Sequence, residues 1–173
     1  IGMYGLSPDP SVKSARQLGV EAAMTLSAPL TSVKVIEEGT PASYGGTWQA
    51  PTRRWIGLVP LGYGDGILRA SSNGAPVVVE TERGLFPTQI VGRVCMDQFM
   101  IDLGPAEGEE GTPTSASGRP PAHVGDRAFL FGDPEKGCPS ADKWALHAGT
   151  INYEIVTRLG ERIPRNYHYE EER

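Results

Sequence analysis

Apolar residues recur at every second position in several short stretches of the chain, which is the pattern of half-buried β-strands. Residues 24–30 alternate apolar with small or polar side chains, and residues 32–36 continue the alternation. Residues 55–61 and 128–131 also have the character of strands. These stretches predict a chain built largely from short strands.

A β-hairpin is predicted in the middle of the chain. Residues 77–79 and 85–90 are strand-like, and the turn-forming run 82–84 separates them. Residues 91–103 are strand-like again. Alternation there puts Phe99, Ile101 and Leu103 on one face and Met100 and Asp102 on the other.

Helical signals occur only near the C-terminus. Ser140 can cap a short helix that stops at Gly149. Thr150 or Asn152 can cap a second helix, which runs to Leu159.

Helical spacing predicts which face of the second helix meets the core. Three aliphatic residues fall on one stripe of that helix: Ile151, Ile155 and Leu159. Tyr153 falls off this stripe, so its ring is not needed for that face of the core.

Glycine and proline are frequent, at 22 and 15 of 173 residues, and favour short strands over long helices. Residues 105–123 are rich in Gly, Pro, Ser, Thr and Glu, which predicts an exposed, mobile loop. The sequence therefore predicts a mostly β, barrel-like domain of Greek-key type with short helices near its C-terminus.

The charge balance excludes some classes of function. Sixteen basic and 21 acidic residues give a net charge of −5. Without a basic stripe, a nucleic-acid-binding module is disfavoured, and without a run of 18 apolar residues no membrane span is predicted. Cys95 and Cys138 are too few for a disulfide framework and favour a cytoplasmic location.

Familiar catalytic and metal motifs are missing from the sequence. His123, His147 and His168 fall in no motif, so neither a nucleophilic triad nor a metal site has support. Glycine fingerprints for nucleotides are also absent.

Two segments combine reactive residues with glycine. Residues 43–47 place Tyr44 beside two glycines, where it is either a turn anchor or a phenol held out as an acid or base. Residues 92–98 are either a β-bulge with a buried cysteine and methionine or part of a site. The residues alone leave both alternatives open.

Four segments taken in order resemble the signatures of a known family, the C-terminal domain of alanine racemase. They are residues 43–47, 60–66, 91–98 and 150–154. Residues 1–5, which begin in mid-pattern, resemble the strand by which that family's N-terminal barrel leads into this domain. The resemblance implies that residues 1–10 are the remnant of a link from a missing TIM-like barrel. Residues 11–173 would then be the C-terminal β domain.

The resemblance also implies an activity, the interconversion of L- and D-alanine, which supplies D-alanine for the cell wall. Pyridoxal 5'-phosphate would act as the electron sink. The barrel would carry the lysine that holds this cofactor. Two chains would pair head to tail as a homodimer, and each active site would take its tyrosine from the partner chain.

Each matching residue receives an implied role. Tyr44 would be the base opposite the lysine, and the Met96 N–H would meet the substrate carboxylate. Tyr153 and the Ile1 N–H would bind the cofactor phosphate. Four residues would line the substrate entrance: Tyr63, Arg69, Arg93 and Asp97.

Two other functions are compatible with the sequence. A serine or broad-specificity amino-acid racemase shares the scaffold, and a non-catalytic β-barrel interaction module keeps the fold without the chemistry. The four lysines match no cofactor-binding context: Lys13, Lys34, Lys136 and Lys143. We therefore expect the isolated chain to bind pyridoxal phosphate poorly and to lack racemase activity.

Overall fold

The structure is a computed structural model that describes residues 2–106 and 119–168. Its strands are β1 Leu26–Pro29, β2 Ser32–Ile36, β3 Pro41–Ala42, β4 Trp48–Gln49, β5 Arg54–Val59, β6 Pro76–Thr81, β7 Gly84–Val91, β8 Phe99–Pro105 and β9 Arg127–Phe131. Its α-helices are α1 Ala141–Ala148 and α2 Asn152–Thr157. Within the described ranges, no helix is long and apolar enough to cross a membrane.

Seven of the strands form one antiparallel sheet in the order β1-β9-β6-β7-β8-β5-β2. The neighbouring strands β9-β6-β7-β8 have the spatial order of a Greek key. The two edge strands are joined by only two residues: the Leu30 N–H donates to the Asp126 carbonyl at 2.8 Å and the Thr31 N–H to the Leu58 carbonyl at 2.9 Å. The sheet must therefore curl into a half-barrel, and the predicted fold class is confirmed.

The core lies inside this curl. The β6–β7 hairpin forms as predicted, with Val77 and Val79 fully buried. On β8 the predicted alternation also holds, since Phe99, Ile101 and Leu103 are buried while the residues between them are partly exposed. Helix α1 covers the core through Trp144, whose indole N–H donates to the Pro76 carbonyl at 2.8 Å.

The predicted strand over residues 91–103 is wrong in its first half. Strand β7 ends at Val91 and β8 begins at Phe99, and a loop of seven residues lies between them. Gly92 has φ 71°, which turns the chain out of the ladder. Apolar side chains continue through this loop, and for that reason periodicity alone does not detect it.

The predicted exposed loop over residues 105–123 is also wrong at both of its ends. Pro105 and Ala106 are buried, and the Ala106 N–H donates to the Arg53 carbonyl at 2.8 Å. Pro121 and Ala122 are buried on the other side. The remainder, residues 107–118, lies outside the described residues.

Helix α2 differs from its prediction in its boundaries and at one position of its inner face, since Ile155 is buried and Leu159 packs against the core as predicted. It begins at Asn152 without a side-chain cap and ends at Thr157. Ile151 is 62% exposed, whereas Tyr153 packs against the core. The Asn152 amide donates to the Ser7 carbonyl at 2.9 Å and to Asp142 Oδ1 at 2.6 Å, and these bonds turn Asn152 inward in place of Ile151.

Helix α1 begins and ends as predicted, and its cap is open to test. Ser140 Oγ accepts from the Lys143 N–H at 3.2 Å, and Gly149 closes the helix in a left-handed conformation. We expect Ser140→Ala to lower the free energy of unfolding by about 1 kcal/mol, measured by thermal or urea denaturation. Ser140→Asp keeps the acceptor and should retain the stability, so equal losses in both variants would contradict the capping role.

Candidate functional site

Tyr44 lies at the start of a tight turn between the short strands β3 and β4. Ser43 precedes it with φ 62° and ψ −172°, a conformation that costs a non-glycine residue about 1–3 kcal/mol. The chain then forms a single 3-10 turn over Tyr44–Gly46. This path leaves the tyrosine side chain 72% exposed, so Tyr44 is not an inward-packed turn anchor.

The tyrosine turn is fastened to the loop between β7 and β8. The Ser43 hydroxyl donates to the Arg93 carbonyl at 2.6 Å. The guanidinium carbon of Arg93 lies 3.3 Å from where a Cβ on Gly45 would be, so this cation covers the residue after the tyrosine. A Cβ on Gly92 would lie 2.4 Å from the Ala42 carbonyl oxygen, which shows how closely the two backbones approach.

A second turn, Tyr63–Asp65, is hydrogen-bonded to the same loop. The Tyr63 N–H donates to the Cys95 carbonyl at 2.9 Å and the Gly64 N–H to the Met96 carbonyl at 2.8 Å. Asp65 holds the turn in shape by accepting from the Gly62 N–H at 2.9 Å. Tyr63 and Met96 both remain exposed, at 45% and 54%.

An arginine from the C-terminal segment joins this group. Arg162 contacts Asp97 Oδ1 and Asp65 Oδ1, each at 2.9 Å. The hydrogen bond to Asp97, and then the charge of Asp65, raise the pKa of Arg162 above its ordinary value. Asp97 is thus held by an ion pair at the rim of the loop.

Arg69 reaches the same loop through its neighbour. The Ser72 hydroxyl donates to the Arg69 carbonyl at 2.5 Å and accepts from the Val94 N–H at 3.0 Å. The Arg69 side chain is exposed. The turn that carries Arg69 is therefore anchored beside the 92–98 loop.

Tyr153 lies apart from this group, on α2. Its ring packs against the core, and its hydroxyl is buried without a hydrogen-bond partner among the described residues. A buried hydroxyl is normally hydrogen-bonded. Tyr153 therefore offers an unsatisfied donor to a group from outside the described part of the chain.

Six of the eight residues singled out from sequence lie in the 92–98 loop or on the turns bonded to it: Arg93, Met96 and Asp97 in the loop, and Tyr44, Tyr63 and Arg69 on the turns. Ile1 lies outside the described residues. Sequence reasoning assigned no role to Ser43, Asp65 or Arg162. Ser43 and Asp65 lay inside the quoted motifs, whereas no local pattern marks Arg162.

Most of the gathered residues are exposed: Tyr44, Tyr63, Arg69, Met96 and Asp97. A cavity of about 390 Å³ lies elsewhere, between the β6–β7 turn and residues 119–123, and none of the candidate site residues lines it. Within the described ranges, no three His, Cys, Asp or Glu residues are grouped as metal ligands would be. Among the described residues, these side chains are open to solvent and not enclosed in that cavity.

Comparison with known proteins identifies the family. The profile of the family described as alanine racemase, C-terminal domain, matches residues 23–167. The alanine racemases of Streptomyces coelicolor and Thermobifida fusca are each 44% identical over 167 residues, which cover 96% of this chain and 38% and 39% of those proteins. The solved alanine racemase of Streptomyces coelicolor superimposes with a TM-score of 0.81 at 42% identity, covering 97% of this chain and 39% of that one.

These matches show the family of the chain, and they also show how much of a full-length relative the chain covers. The chain spans about two fifths of the length of the curated relatives it matches. The four sequence motifs, the half-barrel fold and the residues matched by the family profile all indicate the same family. The chain belongs to the family of alanine racemase C-terminal domains.

Proposed function

We propose that this chain is the C-terminal part of a pyridoxal-phosphate-dependent alanine racemase and that it contributes Tyr44 to an active site shared between two protomers. The proposal rests on the position of the Tyr44 side chain. Its ring protrudes from a turn that is fixed to the loop bearing Met96. Rigidly supported, exposed side chains of this kind suit a site completed by another surface.

Tyr44 would transfer a proton on one face of the substrate α-carbon. A phenol serves as a base only when a nearby positive charge stabilises the phenolate. The Arg93 guanidinium lies against Gly45, the residue after the tyrosine, which makes Arg93 the candidate for that charge in the completed site. A base on the other face would come from the lysine of the barrel, since one residue cannot reach both faces.

Met96 would orient the substrate through its backbone. Its N–H donates to no other group within residues 2–106 and 119–168, while its carbonyl is engaged by the Gly64 N–H. A free N–H on a loop that is fastened to two turns is a suitable donor for a carboxylate.

The cofactor, when bound, would supply the electron sink that makes the α-proton of an amino acid removable. The unsatisfied, buried hydroxyl of Tyr153 fits a phosphate oxygen as its acceptor. The Asn152 amide ties α2 to the Ser7 carbonyl, so the opening segment runs close to this tyrosine. We propose on this basis that residues 1–10 connect residues 11–173 to the cofactor-binding barrel.

A head-to-tail homodimer would supply the missing enclosure. Tyr44, Tyr63 and Met96 are all exposed on segments that meet at the 92–98 loop, and clusters of exposed large side chains mark interaction surfaces. The barrel of a partner protomer would cover them, with Arg69, Arg93 and Asp97 at the substrate entrance. The enzyme would act in the cytoplasm.

The test is a racemase assay of the full-length protein and of this chain alone. We expect the full-length protein to convert L-alanine to D-alanine faster than it converts serine. The isolated chain should show no turnover and no new absorption band with pyridoxal phosphate, because its lysines lie outside any cofactor-binding context. Faster turnover of serine would favour the broader racemase, and no turnover of any amino acid would favour an interaction module.

A further inference from the structure

We propose that Ser43 is a positioning residue for Tyr44, holding the tyrosine turn in register with the loop that carries Met96. This inference rests on the role of Tyr44 in the proposed function. It concerns the hydroxyl and the backbone of Ser43, neither of which would touch the substrate.

The backbone of Ser43 sets the direction in which the tyrosine leaves the fold. Only Ser43 and Asn73 among the described non-glycine residues have a positive φ. The combination at Ser43, φ 62° with ψ −172°, persists in a non-glycine residue only where the surroundings fix it. Behind it Ala42 is buried on β3, and ahead of it Tyr44 is exposed, so Ser43 is the bend between core and surface.

The side chain of Ser43 supplies the fixing contacts. A serine hydroxyl has one proton, and at Ser43 this proton goes to the Arg93 carbonyl at 2.6 Å. Cys95 Sγ lies 3.2 Å from Ser43 Oγ and 3.7 Å from the Arg93 carbonyl oxygen, so the thiol can donate to either oxygen. Both partners belong to the 92–98 loop.

The positions of these contacts in the sequence link them to the chemistry. Ser43 immediately precedes the proposed base, and Cys95 immediately precedes the proposed carboxylate-binding N–H of Met96. The Arg93 guanidinium lies against Gly45, the residue after Tyr44. The loop that would orient the substrate thus contacts the residues before and after Tyr44 in the sequence.

Two variants of the full-length protein separate the contribution of the Ser43 hydroxyl from that of the Ser43 backbone conformation. Ser43→Gly relieves the backbone and removes the hydroxyl, whereas Ser43→Ala removes only the hydroxyl. We expect kcat to fall about tenfold or more in both, because small misplacements of a catalytic group are costly, while KM changes little. Thr81→Ala is the matched control, since its hydroxyl donates to the Gly84 carbonyl in the β6–β7 turn.

Two further readouts distinguish positioning from general stability. Hydrogen exchange of the apo-protein should accelerate in a peptide covering residues 42–49 in both Ser43 variants but not in Thr81→Ala. L- and D-alanine have equal free energies, so kcat/KM must fall equally in both directions. The α-deuterium isotope effect, in contrast, should rise only for the enantiomer whose proton Tyr44 removes.

The outcomes separate this inference from the proposed function. Unchanged exchange at residues 42–49, or an isotope effect that stays the same for both enantiomers, would overturn the role of Ser43 even if Tyr44→Phe is inactive. An active Tyr44→Phe would instead refute the proposed function itself, whatever the exchange data show. Faster exchange together with a one-sided isotope effect supports the inference.

Discussion

Tyr44→Phe in the full-length protein should lower kcat by about 10²–10⁴-fold in both directions, the usual contribution of a general acid–base group. The ring is retained and is already 72% exposed, so the fold has little to lose from removal of the hydroxyl. Cofactor binding should persist, because the proposed phosphate contact of this chain is at Tyr153. Turnover of L- and D-alanine and the absorbance of the bound cofactor are the measurements.

Tyr167→Phe is the matched control for this prediction. Tyr167 is 73% exposed and lies on the C-terminal segment, away from the 92–98 loop in sequence. It should leave both activity and stability unchanged. A Tyr44→Phe protein with activity near that of Tyr167→Phe would contradict the assignment.

The shared site can be tested by mixing inactive subunits. Tyr44→Phe protein would be combined with protein that lacks the cofactor-carrying lysine of the barrel. Random exchange in a dimer that shares its sites should restore about a quarter of the active sites. No restoration after demonstrated exchange would mean that the tyrosine and the lysine come from the same protomer.

Local features of the fold were predictable where neighbouring residues determine them. The β6–β7 hairpin has a run of valines and a turn-forming tripeptide, and α1 has Ser140 and Gly149 at its ends. Strand β9 could be predicted as an element, but its partner β1 lies about a hundred residues earlier and no periodic signal encodes that pairing. Closure of the curl at Leu30 and Thr31 is likewise a property of the folded chain.

One position on the inner face of α2 was not predictable, because a polar residue takes the place of the predicted Ile151, whereas Ile155 and Leu159 meet the core as predicted. An aliphatic stripe containing Ile151 is the expected inner face, yet the buried position is taken by Asn152. Its amide satisfies the Ser7 carbonyl and Asp142, which lie in distant segments. Apolar periodicity cannot foresee a buried amide whose partners are supplied by other parts of the fold.

The candidate site was predictable as a set of motifs but not as an arrangement. Residues 43–47, 62–66 and 92–98 are recognisable separately, whereas their meeting depends on backbone bonds to the 92–98 loop. Arg162 shows the limit most clearly, because a lone arginine near the C-terminus gives no sign that it will join Asp65 and Asp97. Long-range ion pairs of this kind become visible only once the chain is folded.

Substitution of Gly62 tests whether the close contact between the Tyr63–Asp65 turn and the 92–98 loop matters for activity. Gly62 is buried, and a Cβ there would lie 2.3 Å from both the Cys95 and the Met96 carbonyl oxygens. Its φ is −149°, an extended value open to any residue, so Gly62→Ala tests the close approach and not backbone strain. We expect the free energy of unfolding to fall by about 2–3 kcal/mol. Because Met96 and Tyr63 must separate, kcat/KM for alanine should also fall by about 10²-fold.

Gly160→Ala is the matched control, since Gly160 contacts the same turn at ordinary distance. Its φ is also outside the left-handed region, and a Cβ would lie 3.5 Å from the Asp65 carbonyl oxygen, which is normal van der Waals contact. Denaturation and racemase assays of the two variants should therefore diverge sharply, with Gly160→Ala close to the parent protein. If Gly62→Ala loses stability but retains kcat/KM, the contact between the two loops supports only the fold, and Met96 does not depend on it for its place in the site.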